Sequence, residues 1–329
     1  MDRDFAQAVP EGAGAAFSLP RPEVLARRAA LKRLMRAFFD ERGFLEVETP
    51  VRIAAPAPEE YIDCIPCDGG FLRPSPELEM KLLLGAGYEK IYQFGPCFRA
   101  GEHGWKHREE FTMLEYYMTG CDYDTLRDFT AELLRETLTA ARHGEPTLRF
   151  RGETLDLAAE PEVISVAEAF RRFTDLTMEE ADRSDRFDEL MVTRIEPELG
   201  RGRLSFLTDY PASRASLARL KPGRPGIAER WELYLAGVEL ANAYSELTDG
   251  AEQLARFAAA REFRQKRGAL EYHRPAAFEA LLAAGGLPRC TGCALGFDRL
   301  AMILCDAADL GEVRVCDPGR NAGEIAETV

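Results

Sequence analysis

Cys97-Phe98-Arg99-Ala100-Gly101-Glu102, a short polar stretch, then His107-Arg108-Glu109-Glu110-Phe111-Thr112-Met113-Leu114-Glu115-Tyr116-Tyr117 is where the reading of the fold begins. Phe111 to Tyr117 is rich in aromatic residues, as is Ile91-Tyr92-Gln93-Phe94 upstream, so both segments read as strands with a polar loop between them. An arginine at a strand end, followed by that loop and an aromatic strand, suits a triphosphate. The planar guanidinium fork binds phosphate or carboxylate oxygens in pairs. Phe111 is suited to stack on a purine face, with Arg299 covering the other side. On its own the block also reads as an ordinary charged hairpin.

Upstream, Val24 to Phe39 carries an apolar stripe at helical spacing, stopped by Gly43. Phe44 to Pro50 alternates like a short strand closed by proline. Ile53 to Pro74 is irregular, and a helix opens beyond it with Ser75 as N-cap and Pro76 in its first turn. Downstream, Tyr123 to Ala141 is an amphipathic helix and Arg142 to Arg203 holds several weak helices. Leu204 to Pro211 is a strand, Trp231 to Glu246 is β-rich around Gly237, and Leu254 to Lys266 is a helix. Leu295 to Cys305 reads as an apolar helix after a Gly-rich entry. Strands joined by loops, without a regular βαβ rhythm, predict an α+β fold: an antiparallel β-sheet flanked by helices.

The 329 residues are enough for one large domain or two ordinary ones. Hydrophobic content of 46% and charged content of 30% are those of a soluble globular protein. No stretch approaches the ~18 apolar residues of a membrane span, and the N-terminus lacks the pattern of a secretory signal. A cytoplasmic protein without membrane partners is expected. The net charge of -14 argues against a nucleic-acid binder and suits small-molecule substrates or a basic protein partner.

Three further constellations carry chemistry. Gly292-Cys293-Ala294-Leu295-Gly296-Phe297-Asp298-Arg299-Leu300 combines small residues that let a backbone approach a ligand with an arginine in the first turn of a helix. Its plain alternative is a helix start with a surface arginine. Glu232, Glu239 and Glu246, with Asn242 among them, repeat at sevenfold spacing. They read either as the solvated face of a helix or, given Trp231, Tyr234, Val238, Tyr244 and Gly237, as strand carboxylates. Carboxylates facing one pocket suit Mg²⁺ shared with phosphates, or a substrate ammonium. Finally, Cys64/Cys67 and Cys290/Cys293 have CxxC spacing, read either as a split zinc site or as reduced, partly buried thiols.

Together these blocks resemble the signature motifs of class II aminoacyl-tRNA synthetases, specifically the lysyl branch. Gly43 to Pro50 (GFLEVETP) is similar to motif 1, Phe98 to Tyr117 to motif 2 and Gly292 to Leu300 (GCALGFDRL) to motif 3. Glu239 to Asp249 (ELANAYSELTD) is similar to the lysyl-specific segment before motif 3. The resemblance runs from about Pro22 to Cys316. It implies an N-terminal arm over 1–21, a catalytic domain over 22–316 and a C-terminal tail over 317–329. A lysyl-tRNA synthetase carries an anticodon-binding β-barrel ahead of its first helix, for which residues 1–21 leave no room. The chain therefore resembles the truncated paralogue, the elongation factor P–lysine ligase family. That family attaches lysine, preferentially (R)-β-lysine, to a lysine side chain of elongation factor P. Two details agree: Ser75-Pro76-Glu77 where the tRNA enzymes have Ala-Pro-Glu, and Ala294 where they have Gly.

The resemblance implies ATP and Mg²⁺ as cofactors and roles for single residues. Arg99 would bind the α-phosphate and steady the charge that develops there, and Arg299 would clamp the pyrophosphate side with His107 nearby. Glu102, Arg108, Phe111, Glu239, Leu240 and Gly296 complete the ATP site. Glu232 and Glu239 would hold the metal. Ser75, Glu77, Tyr117, Asn242, Glu246 and Ala294 would form the amino-acid pocket, with Glu77 on the backbone-side ammonium, Tyr117 and Glu246 on the ε-ammonium and Asn242 on the carboxylate. The sequence departs from the family in motif 2: Ala100-Gly101 displaces Glu102 by one place, and Arg108 stands where the family has an asparagine that contacts ATP. Partners implied are elongation factor P and a second copy of the chain, the two-fold interface lying at motif 1, with tRNA disfavoured. Competing expectations are a tRNA-charging enzyme and a catalytically silent synthetase-like regulatory protein.

Overall fold

The computed structural model describes residues 19–315. Residues 1–18 of the expected arm, and all of the expected tail, lie outside that range. The chain opens with α1 (Pro22–Glu41), which buries Leu31, Met35, Phe38 and Phe39 at i, i+4, i+7 and i+8. Gly43 follows it with φ of 73°, a left-handed value that a β-carbon would strain. The expected strand of motif 1 shrinks to β1 (Leu45–Glu46), because the residues after it leave the sheet. The segment read as irregular instead holds three short strands, β2 (Arg52–Ile53), β3 (Pro66–Cys67) and β4 (Gly70–Leu72), in a small sheet of their own. Then come α2 (Glu77–Gly85), β5 (Lys90–Phe98), β6 (Glu110–Thr119) and α3 (Tyr123–Ala141). Asp122 caps α3, accepting the Thr125 N–H at 3.0 Å.

The middle segment, expected to hold several weak helices, begins with strands that were not expected: β7 (Thr147–Phe150), β8 (Glu153–Asp156) and β9 (Glu162–Ser165). Short helices follow: α4 (Val166–Phe173), α5 (Met178–Arg183) and α6 (Phe187–Leu190). The chain then returns to the main sheet through β10 (Ser205–Pro211), β11 (Leu220–Lys221), β12 (Arg224–Leu235) and β13 (Val238–Ser245). Ala236 and Gly237, at φ of 52° and 71°, make the tight turn between the last two, as a two-residue hairpin requires. Helices α7 (Gly250–Lys266) and α8 (Ala276–Ala283) precede β14 (Cys290–Gly296) and α9 (Phe297–Leu304). The Gly-rich stretch read as a helix entry is thus a strand, and the helix starts only at Phe297.

Among the described residues the main sheet has nine strands in the order β1-β5-β6-β14-β13-β12-β10-β9, with β11 beside β12. Its interior is antiparallel, as expected, and only the outer pairs β1–β5 and β9–β10 run parallel. One face carries the main core, where α1, α3 and α9 pack Phe39, Leu134 and Leu300 against Tyr92, Tyr116, Cys293 and Leu295. Stacking of Phe39 on Tyr92, with ring centroids 4.5 Å apart, locks the first helix to β5. On the opposite face a smaller cluster joins Leu78, Phe257 and Phe278 of α2, α7 and α8 to Ile91 and Tyr117. That second face is only partly covered, and the cavity lies there.

Candidate active site

Strand register builds the cavity floor. Gln93, Glu115, Ala294, Asn242 and Glu232 stand opposite one another across β5, β6, β14, β13 and β12. Two residues further along, Ile91, Tyr117, Gly292, Tyr244 and Arg230 form the next row. Directly opposed residues share a face, so the small central residues Ala294 and Gly292 lie between Glu115 and Tyr117 on one side and Asn242 and Tyr244 on the other. The space above them is a cavity open to solvent, roughly 1000 Å³ when the open solvent at its mouth is included. A β-carbon on Gly292 would collide with the Tyr117 ring and a Glu246 carboxylate oxygen. This glycine is needed because two side chains close over it.

Glu239 reaches the same face through an irregularity. Leu233 pairs with Ala241 but Tyr234 pairs with Glu239, so Leu240 is an extra residue in β13. In an unbroken strand, positions seven apart point to opposite faces. The bulge restores Glu239 to the face of Asn242 and Tyr244, and Glu239, Leu240 and Glu246 all line the cavity.

At the other end of the floor the connection from β5 to β6 folds over. Arg99 N–H donates to Glu109 O at 2.8 Å, Gly101 N–H to the Glu109 carboxylate at 2.7 Å and Ala100 N–H to Asp63 O at 2.7 Å. Arg99 lies 5.1 Å over the Phe111 ring and 3.6 Å from Glu102, and its Nε is buried without a hydrogen-bond partner among the described residues. The cation over the Phe111 ring is Arg99. Arg299 donates from Nη1 to the Glu239 carbonyl at 2.9 Å and carboxylate at 3.3 Å, and from Nε to Lys106 O at 3.1 Å. Its helix is anchored by the next-door Asp298, which accepts Thr112 N–H at 2.8 Å and the guanidinium of Arg28 at 2.6 Å. Burial, with Arg299, Lys106 and Arg99 nearby, holds His107 down at about 4. It is therefore neutral at pH 7, a hydrogen-bonding group and not a further cation. Arg108 bonds the carbonyls of Gly104 and His107 and approaches Asp309 at 3.6 Å, so it braces the loop. At Gly296 an added β-carbon would meet only ordinary contacts, leaving room above the backbone.

The buried end is acidic. The Ser75 hydroxyl accepts Glu77 N–H at 3.0 Å and donates to Glu115 at 2.6 Å, and Tyr117 donates to the other Glu115 oxygen at 2.9 Å. The N-cap of α2 is Pro76, not the Ser75 expected there, and Ser75 instead bonds the N–H of the first helical residue, Glu77. Burial, then the charge of Glu77, pushes Glu115 up to about 8. Lys81, one helical turn after Glu77, touches Glu77 at 2.5 Å and Glu246 at 2.6 Å. Asn242 donates to the Tyr244 hydroxyl at 3.0 Å while its amide oxygen has no partner among the described residues. Glu59 joins this wall from the loop between β2 and β3.

Glu115, Gly292, Lys81 and Glu59 were not singled out from sequence. The two-residue alternation from Glu115 to Tyr117 was a readable signal; the others depend on which elements pack together. Two of the metal expectations meet particular surroundings in the structure. Glu232 does not line the cavity: Arg230 at 2.6 Å and the Tyr234 hydroxyl at 2.6 Å engage its two oxygens. Of the two carboxylates that the resemblance gives to magnesium, that of Glu239 faces the cavity beside Arg299 and that of Glu232 is held by Arg230 and Tyr234. The split zinc site also fails. Cys290 and Cys293, three apart on a strand, face opposite sides and enter different clusters, and Cys64 enters another with Phe71 and Tyr272. Burial pushes Cys64 up to about 11, opposite to what a metal thiolate needs. Among the described residues no group of three or more His, Cys, Asp or Glu side chains is placed to hold a metal ion. No described helix is long and apolar enough to cross a membrane.

An antiparallel sheet carrying one arginine at the end of a central strand and another at the start of the helix after β14 defines a class II synthetase core. The family model for class II tRNA synthetases (D, K and N) matches residues 20–316. Among curated proteins, the chain is similar to the elongation factor P–(R)-β-lysine ligase of Vibrio cholerae, at 40% identity over 85% of this chain and 90% of that one. The ligase of the same name from Hamiltonella defensa is 37% identical over 88% and 93% of the two chains, and that from Yersinia enterocolitica 38% over 90% and 95%. The chain belongs to the class II tRNA synthetase family and, within it, to the group of elongation factor P–(R)-β-lysine ligases.

Proposed function

We propose that this chain uses ATP to activate (R)-β-lysine, or lysine, as an aminoacyl-adenylate, and transfers the aminoacyl group to a lysine side chain of elongation factor P. The observation that carries the reading is the polarity of one continuous cavity. Arginines converge on its open end, and Glu77, Glu115 and Glu246 crowd its buried end. A molecule with ammonium groups at one end and a carboxylate directed toward a triphosphate fits that distribution. The name shared by the curated relatives supports both the amino acid and the acceptor.

In this reading Arg99 and Phe111 hold the α-phosphate and the base side of ATP, and Arg299 holds the pyrophosphate side. Glu102 fixes the Arg99 fork, neutral His107 donates to phosphate, and Arg108 keeps the loop folded. Leu240 and Gly296 form the surface under the nucleotide. Asn242 and Ala294 direct the amino-acid carboxylate. One carboxylate oxygen attacks the α-phosphorus, the bond to the β-phosphate bridge breaks and pyrophosphate departs. The acceptor amine then attacks the activated carbonyl and AMP leaves. Reactants held in line account for much of such a rate, without a covalent enzyme intermediate. Magnesium, when bound, neutralises phosphate charge, and Glu239 is the residue that would hold it. The catalytic unit is read as 22–316, working in the cytoplasm as a two-fold homodimer. Edge strand β1 and the exposed Leu45 and Val51 support the dimer.

The test is incubation of the chain with ATP, labelled (R)-β-lysine and elongation factor P, with tRNA in a parallel reaction. Label is expected on the factor and not on tRNA; an unlabelled factor would overturn the assignment.

A further inference from the structure

Lys81 is not among the residues that line the cavity, yet it touches two that do. Its ammonium is 2.5 Å from Glu77 and 2.6 Å from Glu246, and the side chain is 1% exposed. Glu77 lies on α2 and Glu246 just beyond β13, so one cation joins two elements of the pocket wall. The two oxygens it joins are within about 5 Å of each other. Without a cation between them, two carboxylates so close and so buried would not both stay ionised.

The remaining charges around Lys81 can be counted. Glu59 and Glu115 feel its charge, as does the Cys290 thiol, whose proton burial retains. Tyr117 is likewise held neutral by burial and by its acidic neighbours. The Phe278 ring is 6.0 Å from the ammonium. Burial keeps Glu115 protonated at neutral pH. Two guanidinium groups near Glu59 already have acidic neighbours, Arg230 with Glu232 and Arg99 with Glu102. Glu59, Glu77 and Glu246 thus converge on a single cation, Lys81, and burial raises the proton affinity of Glu59 and pushes Glu246 up to about 7. Acids outnumber the cation at this end of the pocket, an imbalance of the sign that a diammonium substrate relieves.

We propose that Lys81 is a positioning residue of the amino-acid pocket: it ties Glu77 to Glu246 and cancels one of their charges, so that the pocket takes amino acids bearing two ammonium groups. The proposal rests on the lysine-type reading of the site and names the group that sets its charge. Without Lys81 the two carboxylates share a proton at neutral pH, and affinity for the diammonium becomes dependent on pH where that proton titrates.

The experiment is lysine-dependent pyrophosphate exchange by wild type, Lys81→Met, Lys81→Gln and Lys81→Arg between about pH 6.5 and 8.5, so that titration of the coupled carboxylates is read as a macroscopic step. For Lys81→Met, KM for lysine is expected to rise at least about tenfold at the acid end, with kcat changed by less than about threefold. The deficit should shrink as pH rises, and Lys81→Arg should retain most of the wild-type affinity. Lys81→Gln supplies the same readout if the methionine variant does not fold. An unchanged KM, a KM defect without pH dependence, or an arginine variant no better than methionine would overturn the inference while leaving the lysine reading intact. Wild type that exchanges with no lysine isomer would remove both.

Discussion

The phosphate half of the cavity is carried by a loop and a helix start, whereas the amino-acid half is carried by the middle of a sheet. In the first half, Arg99, Glu102, His107 and Arg108 come from one continuous stretch, and Arg299 reaches it across Lys106 and Glu239. In the second, Glu77, Glu115, Tyr117, Glu246 and Gly292 come from four separated parts of the chain. The first half works through arginines held beside acidic partners, Arg99 by Glu102 and Arg299 by Glu239; the second works through buried acids gathered around one lysine. Loop-built phosphate sites tolerate changes in neighbouring residues provided the cations stay. A strand-built pocket fails when one small residue is enlarged. The motif 2 departures at Ala100, Gly101 and Arg108 fall in the tolerant half.

The largest break is expected in the phosphate half. Arg99→Ala should lower the rate of adenylate formation by about 100-fold or more, the usual cost of one lost donor at a developing charge. Single-turnover formation of adenylate would show it, with the fold intact by thermal melting. A slightly smaller effect separates the halves cleanly. Gly292→Ala should reduce kcat/KM for the amino acid by tens of fold, on the order expected when a pocket is blocked by a misplaced group, while ATP binding measured by calorimetry stays within about twofold.

The buried half also makes a pH prediction. Glu115 binds its proton up to about pH 8 in the folded chain against an ordinary value of 4.5. Between those values the folded state holds more protons than the unfolded one, so its contribution to stability falls as pH rises through that window. Glu115→Gln removes this contribution, and the difference in melting temperature between variant and wild type should move in the variant's favour from pH 5 to pH 8. A difference independent of pH would mean that Glu115 is ionised throughout. The smallest effect is expected at the family departure. Arg108→Asn loses loop bonds to Gly104 and His107 but leaves Arg99 and Arg299 in place. Its KM for ATP should change by only a few fold, roughly the scale of one partly exposed polar contact.

This contrast also explains what the sequence made legible. Arg99 and Arg299 stand in compact blocks whose residue types state their chemistry, and helices such as Tyr123 to Ala141 announce themselves by period and cap. The antiparallel centre of the sheet followed from strands joined by loops without a regular βαβ rhythm. The acidic half was only partly visible. Glu239 and Glu246 look like opposite faces of a strand until the extra residue Leu240 is seen, and bulges carry no fixed sequence mark. Glu232 looked equivalent to Glu239, but Arg230 and Tyr234 two residues to either side take its oxygens. Lys81 reads as a charge on a helix, and only the packing of α2 against α8 and β6 shows it to be internal. The strands β7, β8 and β9 were missed because each is four residues long, too short to establish a period.

The central claim, that one cavity joins a cationic phosphate end to an acidic diammonium end, is tested most directly by amino-acid-dependent pyrophosphate exchange. The measurement compares (R)-β-lysine and lysine with norleucine, which keeps the chain length and lacks the second ammonium. The account predicts exchange with the two diamines and none above background with norleucine. Exchange supported equally by norleucine, or by none of the three, would contradict it.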